Sequence, residues 1–330
     1  MRHSVPGAAW RFCVAPMMDW TDRHCRFFHR QLSARARLYT EMITAPALRH
    51  GDVPRHLDFD PAEQPLALQV GGSDPAELAH ASRLGERWGY DEINLNCGCP
   101  SERVQSGSFG ACLMAEPALV ADCVRAMRDA VTIDVTVKHR IGLDDAHDYG
   151  FVRDFVGTVA AAGCDVFIVH ARNAVLKGLS PKENREVPPL RYEVVHRLKR
   201  DFPETTIVLN GGLADWRAID AELGVVDGVM LGRTAYHDPY FLAQVDARLF
   251  DDPTPIRTRA QVIEAMLAYV DAQVARGTPL RAIARHMLGL YHGCGGGRRY
   301  RQALSDARRL KDGNAALLRE ALAEVEPALP

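Results

Sequence analysis

Short apolar runs that read as strands recur along the first 231 residues, and this recurrence constrains the fold more than any single motif does. They fall at 11–18, 37–44, 65–70, 92–96, 134–141, 165–170, 206–209 and 228–231. Between most of them lie stretches with helical spacing, at 22–32, 75–88, 118–130, 149–162, 191–202 and 215–223. Ser73-Asp74 caps the second helix, with Pro75 early in its first turn, where proline is tolerated. A long polar connection runs over 50–64. Strands separated by crossovers imply a parallel sheet, and eight is the number at which such a sheet closes into a (β/α)8 TIM barrel. An open doubly wound sheet is the alternative, but it carries an early Gly-rich phosphate turn, and none follows the first strand. After Asp251-Asp252-Pro253-Thr254-Pro255 the pattern changes to helices at 260–276, 280–292 and 300–311, broken at 293–297. The expected architecture is an α/β barrel over 1–250 followed by a smaller all-α helical domain over 257–330.

Apolar residues make up 47% of the chain and charged residues 25%, as in an ordinary soluble protein. No apolar run reaches the ~20 residues of a membrane span, and the N-terminus lacks a signal-peptide core. We therefore expect a cytoplasmic protein that does not enter a membrane. The 8 cysteines show no zinc-finger spacing and read as reduced thiols. From Arg257 onward, 12 Arg and Lys face 7 Asp and Glu, a balance of +5, so with a net charge of −2 the first 256 residues carry −7. A basic helical unit on an acidic body suits a polyanionic partner, although solvated helices also carry surplus arginine.

In a barrel of this kind, chemistry gathers at the C-terminal ends of the strands. Asn94-Leu95-Asn96-Cys97-Gly98-Cys99-Pro100-Ser101 is such an end. Ile93, Leu95 and Cys97 share one face, Asn94 and Asn96 the other, and Gly98 and Pro100 force an irregular exit around Cys99. A thiol there is a placed proton donor or nucleophile, or else a small buried hydrophobe. In 135–140 the residues Thr136, Lys138 and Arg140 oppose the valines. Lys138 then points into the mouth as a Schiff-base lysine, as a cation facing an electron-rich cofactor ring, or as a lysine snorkelling out. Other strand ends offer Pro16-Met17, Gln69, His170 with Arg172, Asn210-Gly211-Gly212 and Gly232-Arg233. The last two close the seventh and eighth strands, where barrels bind phosphate through backbone N–H groups. With Lys138, Gln69 and His170 they point to a phosphorylated, ring-bearing cofactor such as FMN.

Together, 14–22, 68–73, Ile93 to Asn96 with 98–101, and Val137-Lys138 with 140–142 resemble the tRNA-dihydrouridine synthases. Residues 178–186 (GLSPKENRE) resemble the bacterial A-type subfamily in particular. Cys97 and His139 depart from the A-type pattern, which has an apolar residue and a threonine there; both lie on the helix-facing parity, and Cys97 complicates any thiol-labelling test. The resemblance implies an FMN-dependent, NADPH-driven oxidoreductase that reduces uridine to 5,6-dihydrouridine in the D-loop of tRNA, at U20/U20a. It implies FMN contacts from Pro16, Met17, Met18, Gln69, Lys138, His170, Asn210, Gly211, Gly212, Gly232 and Arg233, and Cys99 as proton donor. Asn96, Lys182, Arg185, Arg298 and Arg301 would bind tRNA. The cysteine pattern supplies too few nearby ligands for a metal site, so none is expected, and no obligate protein partner is evident. NADPH has no Rossmann-type motif to dock on. A flavin barrel acting on free pyrimidines, a Schiff-base aldolase and a non-catalytic RNA-binding protein remain the alternative readings of the residues.

Overall fold

The sheet is a ring of parallel strands. In chain order they are β1 (Phe12–Val14), β2 (Leu38–Tyr39), β3 (Ile43–Thr44), β4 (Leu66–Gly71), β5 (Glu92–Cys97), β6 (Asp134–Arg140), β7 (Val166–His170), β8 (Thr206–Asn210) and β9 (Gly228–Leu231). The hydrogen-bonded order is β1-β9-β8-β7-β6-β5-β4-β2, with β3 beside β4. Val14 N–H donates to the Arg37 carbonyl at 2.9 Å and Arg37 N–H to that of Phe12 at 3.0 Å, which joins β1 to the start of β2. This is the expected TIM barrel. The computed structural model describes residues 8–101, 109–144, 148–311 and 313–325. Part of the loop after β5 (102–108) and the end of the expected helical domain (326–330) lie outside the described residues.

One expected strand is divided. The run 37–44 forms β2 and β3, both paired with the single strand β4. Between them the N–H of Gln69 donates to the Thr40 hydroxyl at 3.0 Å, so a side chain stands in for the ladder's main-chain acceptor. The expected connection over 50–64 also holds a short helix, Val53–Leu57, capped by Asp52.

Parity decides what fills the barrel. Cys13, Ala15, Tyr39, Ala67, Val166, Ile168, Val208 and Met230 form one buried cluster with Trp10. The opposite residues, such as Leu68, Ile93, Leu95, Val137, Phe167 and Leu209, are also buried, as both faces of a parallel barrel sheet must be. Helices Pro75–Trp88, Pro117–Ala130 and Tyr149–Ala161 close on their expected boundaries to within a residue. Asp74 caps the first by accepting from Glu77 N–H at 2.8 Å.

Two compact units divide the chain, the barrel unit comprising 1–17, 37–59 and 64–231 and the other 18–36, 60–63 and 232–330. The second unit thus takes in helix Arg23–Arg30 and the stretch before the expected domain start at 257. Its buried residues include Phe28, Val262, Ile263, Met266, Val270, Ile283, Met287 and Leu318. Phe27 stacks on Tyr269 with ring centroids 3.8 Å apart. Asp22 caps Arg23–Arg30 through one carboxylate oxygen and pairs with Arg285 at 2.6 Å through the other. The run 300–311 is two helices, Gly297–Ala303 and Ala307–Lys311, because Asp306 accepts from Arg308 N–H at 2.8 Å and starts a new helix. A further helix, Ala316–Ala323, follows. Among the described residues no helix is long and apolar enough to cross a membrane.

Candidate active site

The inward positions of β4, β5 and β6 carry polar side chains that satisfy one another. Register places Gln69 beside Asn94 and Asn94 beside Thr136. Gln69 Nε2 donates to Asn94 Oδ1 at 2.7 Å, Asn94 Nδ2 to Thr136 Oγ1 at 2.7 Å, and Thr136 Oγ1 to Glu92 Oε1 at 2.5 Å. Glu92 is fully buried and also accepts from Trp10 Nε1, Arg37 Nη1 and Tyr39 OH at 2.8–2.9 Å. Burial of such groups is tolerated only when each finds its partner, and here each does. The row closes the barrel below and fixes the Gln69 carboxamide above.

At the mouth, Asn96 Nδ2 donates to Gln69 Oε1 at 2.9 Å. Its Oδ1 accepts from the N–H groups of Gly98 and Cys99 at 3.1 and 3.0 Å. This is an Asx-type turn, the local competition that short carboxamide side chains offer the backbone. It turns the chain off the strand and leaves Cys99 partly exposed, its Sγ 3.5 Å from Ser101 Oγ. The thiol is therefore not packed into the wall. Cys97, two residues earlier, is fully buried on the helix side, where burial pushes its thiol well up. Native labelling is complicated instead by Cys112 and Cys294, which are partly exposed. His139 also faces outward, 5.1 Å from the Phe155 ring, and burial lowers it to about 4.

β6, β7 and β8 bring Arg140, His170 and Asn210 into one row by register. Lys138 Nζ donates to Asn210 Oδ1 at 3.1 Å, and Asn210 Nδ2 to the Met230 carbonyl at 2.7 Å. Burial, then the neighbouring Arg140 charge, lowers Lys138 to about 7, with Cys99 acting against them. Burial also holds His170 well below its usual range, and the charges that reinforce this are all cations: Arg140, Lys138, Arg172 and Arg185. Desolvated Lys138 and buried Arg140, with Arg172 and Arg185 near them, make this end of the barrel electropositive and complementary to an anionic group. The lowered lysine suits a Schiff base as well as a cation beside an electron-rich ring.

Gly211 and Gly212 follow β8 at φ 116° and 73°. A Cβ on Gly211 would lie 2.7 Å from His170 Cδ2, and one on Gly212 would lie 2.4 Å from Leu190 Cδ1. Tyr192 OH donates to the Gly211 carbonyl at 2.6 Å and holds the turn. These glycines are required by the close approach of side chains, and the bare backbone they leave at a strand's C-terminal end is the kind of cradle a phosphate uses. The donor set and the cradle therefore fit a flavin mononucleotide.

Of the expected residues, Pro16, Met17, Gln69, Asn96, Cys99, Lys138, His170, Asn210, Gly211 and Gly212 lie in the barrel unit, with Met17 packed against its inner cluster. Lys182 and Arg185 are exposed on the loop after β7. Met18, Gly232, Arg233, Arg298 and Arg301 belong to the second unit; Gly232 caps helix Arg233–His237, and Arg298 and Arg301 are exposed on Gly297–Ala303. Asn94 and Thr136 share the inward parity of Asn96 and Lys138, a signal that could have placed them in the site. Arg140 and Asn184 stood inside the recognised motifs, but only the fold shows what they bind.

The barrel and its mouth place the chain among enzymes that work at strand ends, and sequence comparison narrows this. The profile of the dihydrouridine synthase (Dus) family matches residues 13–326, so the chain belongs to that family and is one of its enzymes. It is 59% identical over 304 residues to the tRNA-dihydrouridine(20/20a) synthase of Pseudomonas syringae pv. tomato, covering 92% of this chain and 90% of the relative. It is 60% identical over 296 residues to the protein of that name from Xanthomonas campestris pv. campestris, covering 90% and 88%. The protein of the same name from Yersinia pestis is 53% identical over 319 residues, covering 96% and 92%.

Proposed function

We propose that this chain is an A-type member of the family and reduces uridine to 5,6-dihydrouridine at U20/U20a in the D-loop of tRNA, with FMN as bound cofactor and NADPH as reductant. The observation that carries the reading is Cys99: a partly exposed thiol on a turn built by Asn96, whose carboxamide also bonds Gln69 at the mouth. The relatives' names supply the substrate. FMN, when bound and reduced, supplies the hydride taken up at uracil C6. Pro16, Met17, Met18, Gln69, Lys138 and His170 would hold its ring, and Asn210, Gly211, Gly212, Gly232 and Arg233 its phosphate end.

The chain's own part is proton delivery and grip. Addition of hydride at C6 leaves carbanionic charge at C5, next to the C4 carbonyl. Cys99 donates its Sγ–H there, the C5–C6 double bond becomes single, and the thiolate recovers its proton from solvent. A uridine stacked in folded tRNA reaches this depth only when extruded, so cations must hold the RNA outside the mouth. Lys182, Arg185, Arg298 and Arg301 are the residues we assign to that task. With tRNA as its substrate, the proposed enzyme works in the cytoplasm and without an obligate protein partner. Exchange of Cys99→Ala tests the reading. Dihydrouridine formation should fall on the order of 10²–10⁴-fold while tRNA binding persists; full turnover in the variant removes Cys99 from the mechanism.

A further inference from the structure

Arg140 has a role that catalysis at Cys99 does not by itself require. It ends β6 almost fully buried: burial lowers it to about 10, Cys99 opposes that, and Arg185 and Arg172 add to it. It bonds three main-chain carbonyls that lie far apart in sequence. Nε donates to Gly98 O at 3.1 Å, and Nη1 to Asn173 O at 3.0 Å and Asn184 O at 2.8 Å. Gly98 is the residue before Cys99 on the Asx turn. Asn173 and Asn184 stand at the two ends of the loop that carries Lys182, and Arg185 follows directly.

That loop is internally tied by one buried side chain. Asn184 Oδ1 accepts from Val175 N–H at 2.8 Å, and Nδ2 donates to Val175 O at 2.9 Å and Leu179 O at 3.2 Å. Asn173 Nδ2 adds a bond to Asp144 O at 3.2 Å. The loop is thus tied together from within, and the buried Arg140 guanidinium links it to the Cys99 turn. A guanidinium suits this because its planar fork reaches several carbonyls at fixed angles, which an ammonium on a flexible stem cannot do.

We propose that Arg140 is a positioning residue that locks the Cys99 turn and the 173–185 loop into one cooperative piece, so that the proton donor is set in place together with Lys182 and Arg185. The inference rests on the function proposed above for those three residues, but its geometry does not. Disturbance of the loop should be felt at the thiol, and an RNA backbone gripped by the loop would stiffen the turn that presents the acid.

The test perturbs one end and reads the other. In a Cys112→Ser/Cys294→Ser background, the remaining described cysteines other than Cys99 are buried, so alkylation of the native, cofactor-loaded protein reports Cys99 alone. Asn184→Ala unties the loop without touching the turn, and we expect its Cys99 alkylation rate to change by at least about threefold, within the range of couplings carried by contiguous networks. Arg140→Lys should change it comparably, and the double variant should add little to either. Hydrogen exchange on the unaltered protein is the second measurement and needs no variant to fold. The amides of Cys99, Val175 and Asn184 should open with a common free energy and denaturant dependence, as members of one unit do. Unchanged alkylation in folded Asn184→Ala, or separate opening of the two segments, overturns the proposal. Neither readout involves turnover, so a failure here is distinct from a failure of Cys99 as the acid.

Discussion

Lys138 is desolvated at a cost in stability that a bound anionic group would offset. Burial lowers it to about 7 from an ordinary value near 10.5. An unfolded chain therefore holds that proton more tightly than the folded one does, and between these two values folding releases it. Stability of the cofactor-free protein should rise with pH over that interval. Exchange of Lys138→Met removes the buried cation and should raise the stability of the free protein at neutral pH, by on the order of 4 kcal/mol at most, and its melting temperature with it. It should also flatten the rise toward pH ~9. If Lys138 holds the flavin ring as proposed, flavin retention should fall in the same variant. Calorimetry on stripped protein at two pH values, with an FMN titration beside it, checks both. A melting temperature that drops at neutral pH would mean that Lys138 holds the fold together by its bond to Asn210 rather than awaiting an anion.

At the scale of elements, the strand ends do the positioning, and the turn after β8 is the most demanding. Gly211 lies at φ 116° with the His170 ring where its Cβ would be. Gly211→Ala should therefore cost roughly 1–3 kcal/mol of stability, and FMN affinity should fall further than that cost explains, since the turn must shift away from β7. Melting curves with and without cofactor separate the two effects; a variant that keeps both values would leave the turn no part in the site. Much of this scale was legible in the sequence. Alternation within 92–97 and 134–140 sorted Asn96 and Lys138 inward and Cys97 and His139 outward, because a strand's period of two leaves no other choice. What alternation could not reveal is which polar groups meet. Glu92 opens β5 as an ordinary strand-start carboxylate, and its donors come from residues 10, 37, 39 and 136. Arg140 reads as one more mouth cation until Gly98, Asn173 and Asn184 are seen around it. The division of 37–44 was hidden for the same reason, since Thr40's hydroxyl replaces a ladder acceptor only once β4 lies beside it.

For the whole molecule, charge asymmetry is readable in the sequence, while the second compact unit gathers segments from distant parts of the chain. Helix Arg23–Arg30 sits early in the chain, yet its Phe27 stacks on Tyr269, its Arg26 bonds Glu63 at 2.7 Å, and its cap Asp22 pairs with Arg285. Truncation at residue 257 would strip partners from that helix as well as remove basic residues, so loss of activity after truncation would not isolate RNA binding. Charge reversal does. Arg298 and Arg301 are exposed on Gly297–Ala303 and lie three apart, on one side of the helix. Arg298→Glu with Arg301→Glu should leave melting, flavin content and Cys99 alkylation as they are, because solvated side chains contribute little to stability. If each arginine neutralises one tRNA phosphate, its loss removes the counterion released there, and the slope of log affinity against log salt should shrink by roughly 0.7–0.9 per residue. KM for tRNA should rise steeply at low salt and less at high salt, while kcat at saturating tRNA holds. Affinity measured over a salt series decides the matter: an unchanged slope in the double variant would assign the basic balance of this unit to solvation and leave the RNA grip to Lys182 and Arg185.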